Sequence, residues 1–574
     1  MKRRLQNCSS ELFFSRSRIS EKLVSAESAR ALDAEASAAW GLDSLALVEA
    51  AGRNCARVFT KTYPRFFRNP ALRITVMAGS GNNGADALVM LRALILGNRI
   101  SPANASAVIN RLPEDGDRSP RSLACRALER MGVPIFVWEA DPQQPEKSWP
   151  VRGEKSEASF GDPLLQTDII IDGISGTGLQ GPLEGKLREM VRAINALGYY
   201  GKRPFVVSID IPSGNSDTWE RGMPILEADA TLGIEPLKAA LYKSAARPFG
   251  GTIVPVGAIF PRALIDRYPG TELLHWDTVK DRIPPVRSDS HKYQRGLAEI
   301  RAGSPGSTGA ARIASRGAQA AGAGLIRLLV DEAVYPVLAV SAGGVMVVPV
   351  DTAAAPQEGG GGSPRFKPDA LLLGPGWGKS SDRSLILEKA LAAEAEGTPL
   401  ILDADAIYMA RSYSFRGKTI LTPHPGEFAA WSGLPGEAAL NDPFPILAKF
   451  ARERGATILL KGHVLYVASP DGRLGVLDGM APVLSAGGTG DLLAGFCVAL
   501  AARMVKSPQG FDAYTCAVIA AALLLETGTS PEFAGRFIDP LELADRAAAI
   551  AGAAWLPGSS RRTEGRRSPS DTPG

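Results

Sequence analysis

Ser485-Ala486-Gly487-Gly488-Thr489-Gly490-Asp491 runs directly into Leu492-Leu493-Ala494-Gly495-Phe496. Three glycines, a threonine and an aspartate stand before an apolar run with helical spacing. Glycine lets the backbone turn sharply and brings consecutive N–H groups to one point. A helix start adds unpaired donors and the positive end of the helix dipole. Such a turn suits an anion, most often phosphate. Asp491 stands where its carboxylate can take a proton from a hydroxyl attacking that phosphate. A plain helix cap explains an isolated GGTGD equally well, so the rest of the chain has to decide.

Upstream of this turn the chain repeats one habit. Leu72 to Ala78 reads as a strand, Gly79-Ser80-Gly81-Asn82-Asn83-Gly84-Ala85-Asp86 as a turn, and Ala87 to about Leu96 as a helix. Strand, glycine turn and helix form the unit that holds nucleotide phosphates at a parallel-sheet edge. Asp168 to Asp172 leads into Gly173-Ile174-Ser175-Gly176-Thr177-Gly178-Leu179, and Phe205 to Asp210 into Ile211-Pro212-Ser213-Gly214. Near-continuous apolar strands point to a sheet covered on both faces. Ser25 to Arg57 reads as a helical pair broken at Gly41, and Leu123 to Met131 as a further helix. After Ile283-Pro284-Pro285 the alternation resumes: Gly303 to Gly309 precedes a small-residue helix from Ala310 to Ala323. Strands recur at Ala370 to Leu373, Pro399 to Asp403, Thr419 to Thr422 and Thr457 to Lys461. The expected class is α/β in two domains.

At 574 residues the chain exceeds one core. A net charge of +4 is small for this length and gives no reason to expect nucleic acid or an acidic membrane as partner. Cys8, Cys55, Cys125, Cys497 and Cys516 are odd in number and scattered, which disfavours a disulfide framework or zinc site and fits a reducing cytosol. No run long enough for a secretion signal follows Met1-Lys2-Arg3-Arg4. Ala517 to Leu525 is far shorter than a membrane span and reads as a buried helix. No HExxH, GxSxG or Cys/His metal spacing occurs, which disfavours zinc and serine hydrolases.

Two constellations remain. In the first half Asn82, Asn83, Asp86, Asp172, Gly176-Thr177-Gly178, Asp210 and Ser213 offer amide, carboxylate and hydroxyl oxygens, a set suited to a cation beside a phosphate-bearing ligand. Turn conformations and helix caps account for any one of them taken alone. In the second half Asp403-Ala404-Asp405, Thr422-Pro423-His424-Pro425-Gly426-Glu427 and Lys461-Gly462-His463 accompany the GGTGD turn. His424 is one of only four histidines, though a lone histidine is more often structural.

Taken in order, these motifs resemble the fused bifunctional NAD(P)H-hydrate repair enzymes, from about Val24 to Trp555. The first half carries Gly79 to Asp86, Asp172 to Leu179, Asp210 to Gly214, and Ala228-Asp229-Ala230-Thr231 with Lys238. The second adds His291-Lys292, Gly303-Ser304, Thr308-Gly309-Ala310, Ala321 to Leu325, Gly374-Pro375-Gly376-Trp377-Gly378 and the segments above. Ala85 and Ala87 depart from the family, which usually has glycines there, and each adds a methyl near the turn.

The resemblance implies an N-terminal Rossmann-like three-layer α/β/α epimerase domain at 25–278 and a ribokinase-like, ADP-dependent dehydratase domain at 291–557. An N-terminal extension (1–24), a linker (279–290) and a disordered tail (558–574) complete the expected organisation. It implies potassium at Asn83, Asp172 and Ser213. The hydrated dinucleotide falls to Asn82, Asn83, Gly84, Ala85 and Asp86, to Gly176, Thr177, Gly178, Leu179, Gln180, Gly181 and Pro182, and to Asp210. Asp172 is the implied acid/base group. In the second half Gly376, His424 and Asp491 would meet the hydrate, with Asp491 catalytic. Lys461, Gly462, His463, Val464, Leu465 and Gly490 would hold ADP with Mg²⁺. A cytoplasmic homo-oligomer with small-molecule ligands is expected. Two other readings remain: a small-molecule kinase acting on a sugar or hydroxymethylpyrimidine, and a first half that is a non-catalytic nucleotide-binding module.

Overall fold

The computed structural model describes residues 22–139, 149–152, 164, 166–197, 203–283, 285–350, 367–378 and 383–556. The expected extension up to residue 21, Cys8, most of the 351–364 glycine-rich loop's surroundings with the loop itself, and the tail lie outside the described residues. The chain divides into two units, Met1–Glu272 and Leu273–Gly574.

The first unit is built on one sheet. Named by first residue, its strands lie in the order 252, 230, 205, 169, 74, 105, 135, 149. All neighbours are parallel except the last pair. Successive side chains serve opposite faces, as strand geometry requires. Ile74, Val76, Ala78, Ile169 and Ile171 join one apolar cluster. Met77 and Ile170 join another, with Met190, Val191 and Ile194 of the helix Gly185–Ala196. The sheet is therefore covered on both faces, which explains its near-continuous apolar strands.

Chain order reverses between the strands Ile74–Ala78 and Ile169–Gly173. Open α/β sheets form their ligand crevice at such a reversal, beyond the C-terminal strand ends. The helix after the first glycine turn begins at Asn82, not at Ala87 as expected. Ala85 and Ala87 are consequently helical and fully buried. Neither has positive φ, so their methyls place no strain on the turn.

The second unit repeats the plan with another strand order: 346, 325, 297, 370, 400, 419, 457, 464, 474. The pairs through 457 are parallel; the last two are antiparallel. Its reversal lies between the strands Leu297–Arg301 and Ala370–Leu373. Trp276, Val279 and Ile283 belong to the core of this unit, although they fall within or beside the stretch expected to end the first domain. The small-residue helix Thr308–Ala320 packs against Thr489–Val505, the helix opened by the GGTGD turn. The apolar run at 517–525 lies in the buried helix Ala513–Gly528. Among the described residues no helix is long and apolar enough to cross a membrane.

Candidate functional site

At the reversal of the first sheet lies a cavity of 660 Å³. Its walls include Ser80 to Gly84 and Asp86 from the first turn, Ile174 to Leu179 from the second, and Asp210, Lys238 and Asp33. Arg30 pins the second turn by donating to the Thr177 carbonyl at 2.7 Å. Asp210 follows its strand with φ +64, a conformation unusual for a residue with a side chain. Its Oδ1 accepts from Lys238 Nζ at 2.7 Å and from the Ile234 amide at 3.2 Å.

Asp86 is only 8% exposed, and its Oδ1 has no hydrogen-bond partner among the described residues. Burial, then the charges of Asp210 and Asp33, push its carboxyl well above the usual range, against the opposing pull of Lys238.

Asp172 sits differently. It is fully buried, is absent from the cavity wall, and its carboxylate is already occupied. Oδ1 accepts from Ser213 Oγ at 2.5 Å and from the Ile174 amide at 3.1 Å; Oδ2 accepts from Ser208 Oγ at 2.8 Å and the Ser213 amide at 3.0 Å. Burial raises its carboxyl, and these hydrogen bonds counteract the rise. Asp172, expected as the acid/base group, is thus buried beneath the wall with both carboxylate oxygens hydrogen-bonded. What Asp172 does join is an oxygen cluster. Ser213 Oγ accepts from the Ser175 amide at 2.8 Å and lies 3.3 Å from the Ser175 carbonyl, to which Asn83 donates at 2.7 Å. Asn83 and Ser213 thus meet at Ser175, and Asp172 joins them through Ser213. The set is all oxygen, with one carboxylate, which suits a weakly charged hard cation.

In the second unit the strand ends meet around Lys461. Its Nζ lies 2.8 Å from Asp403 Oδ1 and 3.8 Å from Glu427 Oε2. Asp403 is 2% exposed and also accepts from Thr422 Oγ1 at 2.7 Å. Burial works against the Lys461 ammonium, but Asp403, Glu427 and Asp491 hold its affinity for the proton above the ordinary lysine value. Gly488, with φ +93, turns the chain into the helix. At Gly490 a Cβ would come within 3.1 Å of Lys461 Nζ, so the lysine lies close against the helix start, where a side chain would make it shift slightly. Asp491 is in the first turn. Burial, then Asp403, raise its carboxyl from 3.8 to about 7, with Lys461 opposing.

His424 caps the helix Pro425–Ser432. Its Nδ1 accepts from the amides of Gly426 at 3.0 Å and Glu427 at 3.2 Å, while Glu427 Oε2 accepts from the His424 amide at 2.8 Å. Capping through Nδ1 requires an unprotonated Nδ1 and leaves Nε2 to carry the hydrogen.

Comparison with known proteins follows this geometry. Residues 298–532 match the family described as NAD(P)H-hydrate dehydratase, and residues 44–240 match the YjeF-related protein N-terminus. The bifunctional NAD(P)H-hydrate repair enzyme of Salinibacter ruber is 30% identical over 521 residues, covering 87% of this chain and 90% of that protein. Its namesake from Gloeobacter violaceus is 31% identical over 504 residues, covering 84% and 89%. The chain belongs to the bifunctional NAD(P)H-hydrate repair enzymes. Among solved structures, an ADP/ATP-dependent NAD(P)H-hydrate dehydratase from Bacillus subtilis, co-crystallized with ATP/Mg²⁺, is 24% identical with a TM-score of 0.43, over 49% of this chain and 99% of that one. The α/β class expected of this repair enzyme holds: two units, each built on a largely parallel sheet.

Several expected site residues come together in the repair enzyme. Asn82, Asn83, Gly84, Asp86, Gly176, Thr177, Gly178, Leu179 and Asp210 share one cavity. Ala85 faces the core, and Gln180, Gly181 and Pro182 lie beyond the wall. Lys461, Gly490 and Asp491 form one cluster. Gly376 is bound to the neighbouring loop, Ser304 Oγ donating to its carbonyl at 2.9 Å. Gly462 and His463 make the exposed turn after Lys461, whereas Val464 and Leu465 enter the next strand with buried side chains. Two residues of the first cavity had no role assigned from sequence, Asp33 and Lys238. Asp33 stands one turn after Ala29 and one residue from Leu32 on a helix whose buried stripe is Ala29, Leu32 and Ala36. A carboxylate at the edge of that stripe was the available signal.

Proposed function

We propose that the chain restores hydrated NADH and NADPH: the first unit interconverts the R and S hydrates, and the second dehydrates the S epimer with ADP, giving AMP and phosphate. The observation that carries the reading is the placing of Asp491: it stands in the first turn of the helix that the GGTGD turn opens, with the Lys461 ammonium against the same helix start. Burial, which raises its carboxyl to about 7, suits proton removal near neutral pH.

The hydrate's ring hydroxyl is a poor leaving group. Phosphorylation makes it a good one, and loss of phosphate restores the dihydropyridine ring. In this reading Asp491 takes the proton of the attacking hydroxyl. Amide groups from Gly488 to Gly490 and the Lys461 ammonium face the transferring phosphoryl group. Gly376 and His424 position the hydrate. The adenine nucleotide lies along the turn from Lys461 to Leu465 and against Gly490, meeting backbone at Val464 and Leu465 because those side chains are in the core. The described residues hold no group of three His, Cys, Asp or Glu side chains arranged for a metal. Mg²⁺ fits as a companion of the nucleotide, drawing its ligands largely from phosphate and water.

In the first unit Asn82 to Asp86, Gly176 to Pro182 and Asp210 hold the hydrated dinucleotide. Asn83, Asp172 and Ser213 hold potassium, their oxygens and single carboxylate being suited to it. Its charge would steady the Ser175 turn at the cavity's edge. A reducing cytoplasm suits the four described cysteines, which are all buried and unpaired. A homo-oligomer completes the reading, and light scattering tests it.

The relatives along both units are named repair enzymes, which favours this reading over a sugar or hydroxymethylpyrimidine kinase. The test is direct. Given the separated S hydrate without ADP, the protein should produce an R/S mixture and no NAD(P)H. With ADP and Mg²⁺ the whole mixture should become NAD(P)H with one AMP per turnover. Phosphorylation of a sugar or pyrimidine alcohol, with the hydrates untouched, would overturn it.

A further inference from the structure

Both carboxylate oxygens of Asp172 are occupied by four donors, and the carboxyl groups that line the cavity belong to other residues. Three carboxyl-bearing residues line the cavity: Asp33, Asp86 and Asp210. They differ in their partners. Asp210 is 7% exposed and locked, with Lys238 Nζ at 2.7 Å and the Ile234 amide on the same oxygen. Asp86 lies on the helix Asn82–Leu96, just past its first turn. It is 8% exposed, and one of its oxygens meets no donor or acceptor among the described residues. A buried polar atom without a partner is costly, and a bound ligand that hydrogen-bonds it removes the cost. The lysine-bound carboxyl of Asp210 and the unpartnered carboxyl oxygen of Asp86 thus form an unlike pair on one cavity wall. Two carboxyls in unlike environments are the usual setting of a base and an acid.

The chemistry of the hydrate calls for both. An enamine takes up a proton on its β carbon and water on the carbon beside nitrogen, so the hydrate is a carbinolamine. Inversion of that carbon through the ring iminium has its hydroxyl leave as water. The proton for this comes from an acid, and the ring nitrogen's lone pair forms the carbon–nitrogen double bond as the carbon–oxygen bond breaks. A second water then adds to the opposite face. It passes one proton to a base, and the double bond's electrons return to nitrogen. No oxidant or reductant is involved, and the two transfers leave the protein with the protons it began with once acid and base re-equilibrate.

We propose that Asp86 is the catalytic acid that protonates the departing ring hydroxyl, and that Asp210, held by Lys238, accepts the proton of the incoming water. This rests on the epimerase reading above. The high proton affinity of Asp86 supports it. Lys238 is a positioning residue: its ammonium, 2.7 Å from Asp210 Oδ1, fixes that carboxyl group in place.

The experiment uses the full chain and the separated S hydrate without ADP, following the epimer ratio by chromatography. Asp86→Asn keeps the size of the side chain and removes its acidity. The expected result is an epimerisation kcat lower by about 10² to 10⁴, with KM within about threefold, and S-hydrate dehydration with ADP at the wild-type rate. Epimerisation by Asp86→Asn within tenfold of wild type overturns the proposal. If the variant does not fold, the wild-type protein in H₂¹⁸O decides: each inversion should bring one ¹⁸O into the ring hydroxyl, and inversion with the original oxygen retained overturns the proposal. A wild-type protein that dehydrates the S hydrate but never inverts it would instead sink the epimerase reading itself.

Discussion

Replacing Asp491 with Asn separates catalysis from stability, because the site holds this carboxyl in a state that opposes folding. Its pKa rises from 3.8 to about 7, chiefly through burial and then Asp403. At about 1.4 kcal/mol per pH unit, the rise corresponds to about 4 kcal/mol. Partial contact with solvent reduces this to about 2 kcal/mol. The sign follows from linkage. The folded chain binds this proton more tightly than the unfolded chain, so stability falls as pH rises from about 4 to about 7 and stays lower above. Asn removes the charge and the penalty. The variant should match wild type at pH 4 and melt about 5 °C higher at pH 8. Its ADP-dependent dehydration of the S hydrate should fall by about 10² to 10⁴, while epimerisation stays at the wild-type rate. Thermal melts at the two pH values and a coupled AMP assay read both effects. Near wild-type turnover would reduce Asp491 to a helix cap, and a stability difference independent of pH would show that its carboxyl is not raised.

Wild-type dehydration should itself gain rate with rising pH through about 7 and level off above, as the Asp491 proton is lost; a flat profile from pH 5 to 9 would contradict this. His424→Asn preserves a side chain able to cap the helix, so melting should be unchanged while KM for the S hydrate rises. His424→Ala should also destabilise by about 1 kcal/mol through the lost cap, which melts would detect. Epimerisation should depend on potassium and survive zinc chelation, checked by dialysis against sodium and by a chelator series. Asp172→Asn places an amide N–H among four donors, so epimerisation and first-unit melting should fall together, about 1–3 kcal/mol in stability, with S-hydrate dehydration intact.

The strand ends were legible because each apolar run stops at a polar residue followed by a turn. Strands at Ala370–Leu373 and Thr457–Leu460 lie where the pattern indicated. The helix start at Asn82 was not, because two asparagines and a glycine read as turn while buried packing against the sheet extends the helix through them. Pairing across the sheet was also hidden. Lys461 and Asp403 are 58 residues apart, and only the parallel order of their strands brings them to 2.8 Å. Asp172 shows the limit of reading strand-end carboxylates alike. Asp210 leaves its strand with φ +64 and opens onto the cavity, whereas Asp172 remains within the strand Ile169–Gly173 and is covered by Ser208 and Ser213.

The central claim is that two independent sites on one chain act in sequence on the same metabolite. Mixing two inactive variants tests it most directly. Asp86→Asn given the pure R hydrate with ADP should leave it unconverted beyond the spontaneous rate. Asp491→Asn should carry it only to an R/S mixture. Together, at equal concentration, they should convert the R hydrate to NAD(P)H, because the intermediate diffuses from one protein to the other. A mixture as inactive as its components, with both variants folded, would contradict the account.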